Sequence, residues 1–238
     1  TTEERKAKTP RYSQSVANWW FNRLHKRFLS EPGNFELLQE AVLELKEKYY
    51  TNEIIQAKLD SYYDVIFPNV TSSPDIDYTY IGGNTNAERV TTYNASFANL
   101  VNLVDNNYQL FLDRIGDPMS FWLYTPYVDW EGKLTISWAE SVSLTGATIK
   151  YDLDIATSPS FDEASIVEQF SGLETPKQKM NWTHPTGSYF YRVTARDVDE
   201  PTKYIQFGSN SYDSEDQVKY SGVVAFDAEE YIVDIHPN

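Results

Sequence analysis

The stretch that decides the fold is "GSYFYRVTARD", Gly187–Asp197. Successive side chains of a β-strand point to opposite faces. Here Tyr189, Tyr191, Val193 and Ala195 share one face, while Arg192, Thr194 and Arg196 share the other. That alternation predicts a half-buried strand with its aromatic and aliphatic face turned inward. "TIKYDLDIATS", Thr148–Ser158, repeats the pattern: Ile149, Tyr151, Leu153 and Ile155 inward, Lys150, Asp152 and Asp154 outward. "KLTISWAE", Lys133–Glu140, puts Leu134, Ile136 and Trp138 on one face. Further strand candidates are Ile166–Phe170, Lys179–Thr183, Lys203–Phe207 and Gly222–Phe226. Short strands at this spacing around one buried tryptophan predict an antiparallel two-sheet sandwich.

Upstream the period changes from two to nearly four. Ser13 or Ser15 can cap a helix carrying Val16, Trp20, Leu24 and Phe28. "SEPGN", Ser30–Asn34, breaks it, and Asn34 can cap a second helix with Phe35, Leu38, Val42, Leu45 and Tyr49 in one stripe. Thr51 can cap a third, with Ile55, Leu59, Tyr62 and Ile66 on one face, ending at Pro68. Residues 68–90 read as a long polar connection, and a long fourth helix is expected over about Thr91–Ile115, with Gly116 just past its end. The fold class expected is therefore multidomain α plus β: a helical bundle at 1–124, then an all-β sandwich at 125–238.

Charge changes at the same place. Residues 1–124 hold 12 Lys+Arg and 16 Asp+Glu, giving −4; residues 125–238 hold 8 and 19, giving −11. A net charge of −15 argues against nucleic acid and anionic membranes as partners, since both need basic patches. No apolar run approaches the roughly 20 residues that span a bilayer, so no membrane insertion is expected. Cysteine is absent, which excludes disulfides, thiolate zinc sites and cysteine nucleophiles. The mean hydropathy of −0.53 suits a soluble globular protein. The first residue is Thr1, so the chain is expected to be a processed product or an excised piece. Asn69, Asn94 and Asn181 open glycosylation-type tripeptides, which matter only in a eukaryotic secretory setting.

The second half resembles a fibronectin type III domain. Trp138 fits the family's second-strand tryptophan, and Pro185, Tyr189, Val193 and Ala195 fit its P-x-x-x-Y-x-x-x-V-x-A pattern over about residues 125–227. The resemblance implies that one tyrosine bonds back to the backbone at a corner of the sandwich. It also implies a spacer or binding module rather than an enzyme.

The first half resembles the C-terminal helical part of CotH-type kinases, a family of bacterial spore-coat and surface kinases. The residues that carry this are "NWWFNRLHKRFLSEPGNFELLQEAVLELKEKYYT" at Asn18–Thr51, "TNEIIQAKLDSYYDVI" at Thr51–Ile66 and "NNYQLFLDRI" at Asn106–Ile115. In that family the nucleotide-binding Lys, the catalytic Asp and the metal-binding Asp precede this segment. The resemblance thus implies that this chain alone is not an enzyme, and that ATP and a divalent metal belong only to a parent protein. The upstream kinase core of the same parent chain becomes the expected partner, with spore-coat or surface proteins or glycans as others. The expected location is the spore coat or the bacterial cell surface. The adjacent Trp19 and Trp20 are the candidate docking surface, because neighbours on a helix point about 100° apart and one stripe cannot bury both. The alternative is a self-contained surface adhesin or carbohydrate-binding protein.

Other motifs have plainer readings. "VDWEGK", Val128–Lys133, is a turn between strands rather than a kinase metal-binding Asp. Asp152 and Asp154 lie on a solvated strand face. "IGGN", Ile81–Asn84, lacks the context of a phosphate-binding loop. His25, His184 and His236 are spread across unrelated segments. Asp213, Glu215 and Asp216 form an acidic loop that offers at most weak Ca²⁺ ligation.

Overall fold

The computed structural model describes residues 20–78, 81–129, 131–216 and 218–228. An N-terminal helical region is followed by antiparallel sheets. Of the described residues, those up to Ser30 and those from Arg114 onward form one compact unit, and Glu31–Asp113 form the other. This division departs from the expected one at 124/125, for reasons visible in the packing below.

The Glu31–Asp113 unit contains α2 (Asn34–Glu44, continued by a wider π turn at Leu45–Tyr49), α3 (Asn52–Thr71), α4 (Asp75–Tyr78), α5 (Asn86–Asn99), a 3₁₀ turn at Leu100–Asn102 and most of α6 (Leu103–Arg114). Thr51 caps α3 as expected, its hydroxyl accepting the Ile54 amide at 3.3 Å. Asn34 is instead the first residue of α2. Gly33, in the left-handed region at φ +84°, supplies the turn. Pro68 does not end α3, which runs to Thr71. Pro68 has no amide to bond back to Asp64, and just past it the Asn69, Thr71 and Ser72 side chains bond the carbonyls of Val65, Phe67 and Pro68 in the last turn. The last long helix begins before Thr91 because Thr85 and Glu88 form a capping box. A ladder of rings, Phe67, Tyr63, Phe97 and Tyr93, joins α3 to α5 at centroid separations of 5.0–5.9 Å.

The other unit contains α1 (Arg23–Ser30) and the sandwich. One sheet has the order β1 (Tyr127–Val128), β2 (Leu134–Ser137), β5 (Lys177–Met180). The other runs β10 (Val224–Ala228), β6 (Gly187–Asp197), β3 (Ile149–Ala156), β4 (Ile166–Leu173), with β7 (Ile205–Phe207) also on β6. All pairs are antiparallel. The inward residues named above form one core, in which Leu153, Ile155, Tyr191, Val193 and Ala195 are wholly buried. The corner bond is present: the Tyr189 hydroxyl donates to the Pro185 carbonyl at 2.8 Å.

Two features were not foreseen. Gly116–Leu123 belongs to the sandwich. Met119, Phe121 and Leu123 are buried there, Ser209 donates to the Phe121 carbonyl at 2.7 Å, and Ala139 donates to the Trp122 carbonyl at 2.8 Å. This is why the division falls before residue 125. Second, the edge strand beside β6 is split. β7 pairs with Thr194–Arg196 and β10 with Gly187–Tyr191. Between them β8 (Ser211–Asp213) and β9 (Lys219–Ser221) form a hairpin closed at its base by Gly222 N to Asn210 O, 2.7 Å. Its Tyr212 and Tyr220 pack with Phe190, Phe161, Ala156 and Val223 in a second small cluster.

On the solvated face of β3 and β6, Arg192 pairs with Asp154 at 2.7 Å and Arg196 with Asp152 at 2.6 Å. The two aspartates therefore serve the sheet. Thr194, expected outward beside them, is buried, opposite Phe207 of β7.

Burial raises the phenol of Tyr191 far above its ordinary value, against the weaker opposing effect of its 2.5 Å bond to the Tyr124 carbonyl. Burial raises Tyr151 as well. Both are neutral in folded and unfolded chains below a pH of about 10, where their packing contributes fully. Above it only the unfolded chain ionises them, so stability must fall as pH rises. Denaturant midpoints at a pH of about 8 and about 11 should show this loss, and Tyr191→Phe should show a smaller one. Equal losses in both proteins would refute the assignment to Tyr191.

Candidate functional site

Of the two tryptophans expected to form a docking surface, only Trp20 is among the described residues. Trp20 is not on a helix: α1 begins at Arg23, and the Asn22 side chain accepts the Leu24 amide at 2.9 Å, capping it. Trp20 is 2% exposed, and the Lys26 ammonium lies 5.1 Å from its ring centroid. Its ring is covered rather than presented. Trp19 lies outside the described residues, as does His236. The aromatic contact made beside Trp20 is Phe21 with Trp122, 4.5 Å between centroids.

What the helical unit does present is apolar surface. Among its described residues only Phe35 and Ile76 are buried hydrophobics. Leu37, Leu45, Tyr49, Tyr50, Tyr62 and Val65 are each 47–64% exposed. The two adjacent tyrosine pairs of this unit differ, and only Tyr62–Tyr63 splits as opposite faces of a helix dictate. Tyr62 is exposed, whereas Tyr63 turns inward and its hydroxyl donates to Asn94 at 2.8 Å. Tyr49 ends the π turn and Tyr50 follows it, and both are exposed.

The sandwich carries a cleft of about 340 Å³ at one end, lined by Tyr127 and Val128 of β1, Leu134 of β2, Trp182, Thr183, His184 and Thr186 of the β5–β6 connection, and Phe226 and Asp227 of β10. Its wall is firmly held. Trp182 meets His184 and Tyr189 edge-to-face at 4.8 Å each, and Phe226 at 6.0 Å. The corner bond fixes Tyr189, so the motif that marks the fold also braces this wall. His184 Nε2 lies 2.8 Å from Glu168 Oε1, leaving Nδ1 free for other work. Asp227 Oδ1 accepts the Ser188 hydroxyl at 2.6 Å, leaving its second oxygen. Tyr127 is 50% exposed. Sequence reading missed this site because its residues come from four separate segments, although Trp182 and His184 stand two apart just before the corner.

The remaining candidates are structural. Asp129 closes the β1–β2 turn, accepting the Glu131 and Lys133 amides at 2.9 and 3.0 Å and pairing with Lys179 at 2.6 Å. Those bonds hold its carboxyl below the usual range. Gly83 carries no phosphate cradle. The Arg89 side chain occupies the Gly83 carbonyl, and a Cβ at Gly83 would come within 2.8 Å of the Arg89 amide. Asp213 stands opposite Lys219 in the β8–β9 hairpin. Among the described residues no three His, Asp or Glu converge as a metal site, and no helix is long and apolar enough to cross a membrane.

No family model matches the chain, and no curated protein matches it. Among solved structures it is similar to a Fn3-like protein from Clostridium thermocellum, with 14% identity over 39% of this chain and 88% of that one, at a TM-score of 0.26.

Proposed function

We propose that this chain is a non-catalytic docking and spacer region of a larger surface protein of the CotH kinase type. In this reading the helices buttress a phosphotransfer core of the same parent chain, and the sandwich spaces or anchors it at the spore or cell surface. The observation that carries it is the apolar surface of the Glu31–Asp113 unit. A unit of this size with two buried hydrophobic residues among those described, and side chains such as Leu37, Leu45, Tyr62 and Val65 exposed, gains little from folding alone. Docking against another domain would remove that surface from water, and CotH-type resemblance supplies the partner. ATP and a divalent metal belong, in this reading, to that core.

Amide exchange tests it. In the parent protein, α2 and α3 should exchange at least about tenfold more slowly than in this chain alone, because docking adds about 1.4 kcal/mol or more to their opening. Val65→Asp should change this chain's own stability by less than about 0.5 kcal/mol, since the side chain is exposed, yet abolish the added protection. Equal exchange in both contexts, or metal-dependent ATP turnover by the isolated chain that persists on repurification, would sink the proposal. The aromatic cleft favours the rival reading of a carbohydrate-binding surface protein.

A further inference from the structure

From the cleft at the end of the sandwich we infer a binding subsite for a neutral saccharide, one or two pyranose rings long. This stands whether or not the helices dock on a kinase core. The volume of about 340 Å³ falls at the small end of ligand sites. The walls are aromatic: half-exposed Tyr127, partly buried Trp182 and buried Phe226 all line it. A pyranose has one face rich in C–H groups, and such a face packs on an aromatic ring. Its rim hydroxyls each donate and accept, and the cleft supplies both needs. Asp227 keeps one carboxylate oxygen beyond its bond to Ser188, and His184 keeps Nδ1 beyond its pairing with Glu168. Thr183 and Thr186 line the same space.

Charge narrows the class. Residues 125–238 hold 8 Lys+Arg and 19 Asp+Glu, giving −11. The described lining includes a carboxylate and neither lysine nor arginine. Phosphorylated, sulfated or uronic sugars would meet repulsion without a cation to receive them. A basic peptide is the competitor that the charge permits, but it would leave the stacking surface and the hydroxyl-matching groups unused. It would also bind with steep salt dependence.

The test is calorimetric titration of the intact chain with neutral di- and trisaccharides of glucose, galactose, mannose and N-acetylglucosamine. At least one should bind with a Kd of about 1 mM or tighter, unchanged between low and moderate salt. Tyr127→Ala and Asp227→Asn should each weaken it at least fivefold. Tyr62→Ala, which removes an exposed ring from the helical unit, should leave it unchanged. Thermal unfolding of each variant checks that the sandwich remains intact. If a lost fold accompanies Tyr127→Ala, Tyr127→Phe supplies the second measurement: it keeps the ring and should keep most of the affinity. No binding of any neutral saccharide up to about 10 mM overturns the inference. So does binding that Tyr127→Ala and Asp227→Asn leave intact, or binding only of a basic peptide, lost as salt rises.

Discussion

Tyr191→Ala should destabilise the sandwich by about 4 kcal/mol, the cost of emptying a large aromatic site in a packed core. Tyr191 is wholly buried at the centre of β6. Its ring faces Phe226, and its hydroxyl donates to the Tyr124 carbonyl at 2.5 Å. Truncation removes the ring, leaves a cavity between two sheets that cannot collapse, and strands a carbonyl. For a domain of this size, Tm should drop by about 10 °C or more. Tyr191→Phe keeps the ring and should cost only about 1 kcal/mol. Denaturant unfolding followed by tryptophan fluorescence measures both. A loss below about 1 kcal/mol for the alanine variant would show that the core is not organised around this residue.

Gly208→Ala should be nearly as damaging, for the opposite reason. Gly208 is buried, donates its amide to Val193 at 3.0 Å, and sits against Leu123. A Cβ built there comes to 2.3 Å from Leu123 Cδ2 and 2.6 Å from Cγ. Leu123 cannot retreat, because it is itself buried and its amide is tied to Ser209. Overpacking of this kind costs about 2–3 kcal/mol. Leu123→Ala alone should also destabilise, by leaving a hole. The double variant should be better than the sum of the two by about 1–2 kcal/mol, since each change makes room for the other. Strict additivity in a double-mutant cycle would refute the contact.

The sandwich was legible where burial alternates along one strand. β3 and β6 lie as Tyr151, Leu153, Tyr189 and Val193 predicted, because an inward face cannot slip by one residue without exposing itself. The corner tyrosine followed from its spacing. The split edge was not legible: Ser209–Val223 holds no long alternation, and β7 and β10 are each too short to announce that they share one edge of β6. Gly116–Leu123 was hidden for a similar reason. It pairs through isolated bridges, at Trp122 with Ser209 and at Leu123 with Trp138, rather than along a ladder. The helical stripes located α2 and α3 but not the fate of their apolar faces. A stripe records that a surface seeks cover, and Leu45 and Tyr62 remain exposed here. The cleft was the least readable part, since its lining is assembled only when the two sheets close over the core.

The entry of the chain into the sandwich has a mechanical consequence. Seven to ten residues past Arg114, the backbone at Trp122 and Tyr124 bonds to Ala139 and Ser137, at and just past the end of β2, and that at Phe121 and Leu123 to Ser209 between the halves of the split edge. Tension passed along the chain from the helices therefore reaches bonds to both sheets at once. The entering segment cannot be peeled from one sheet while the other stays closed.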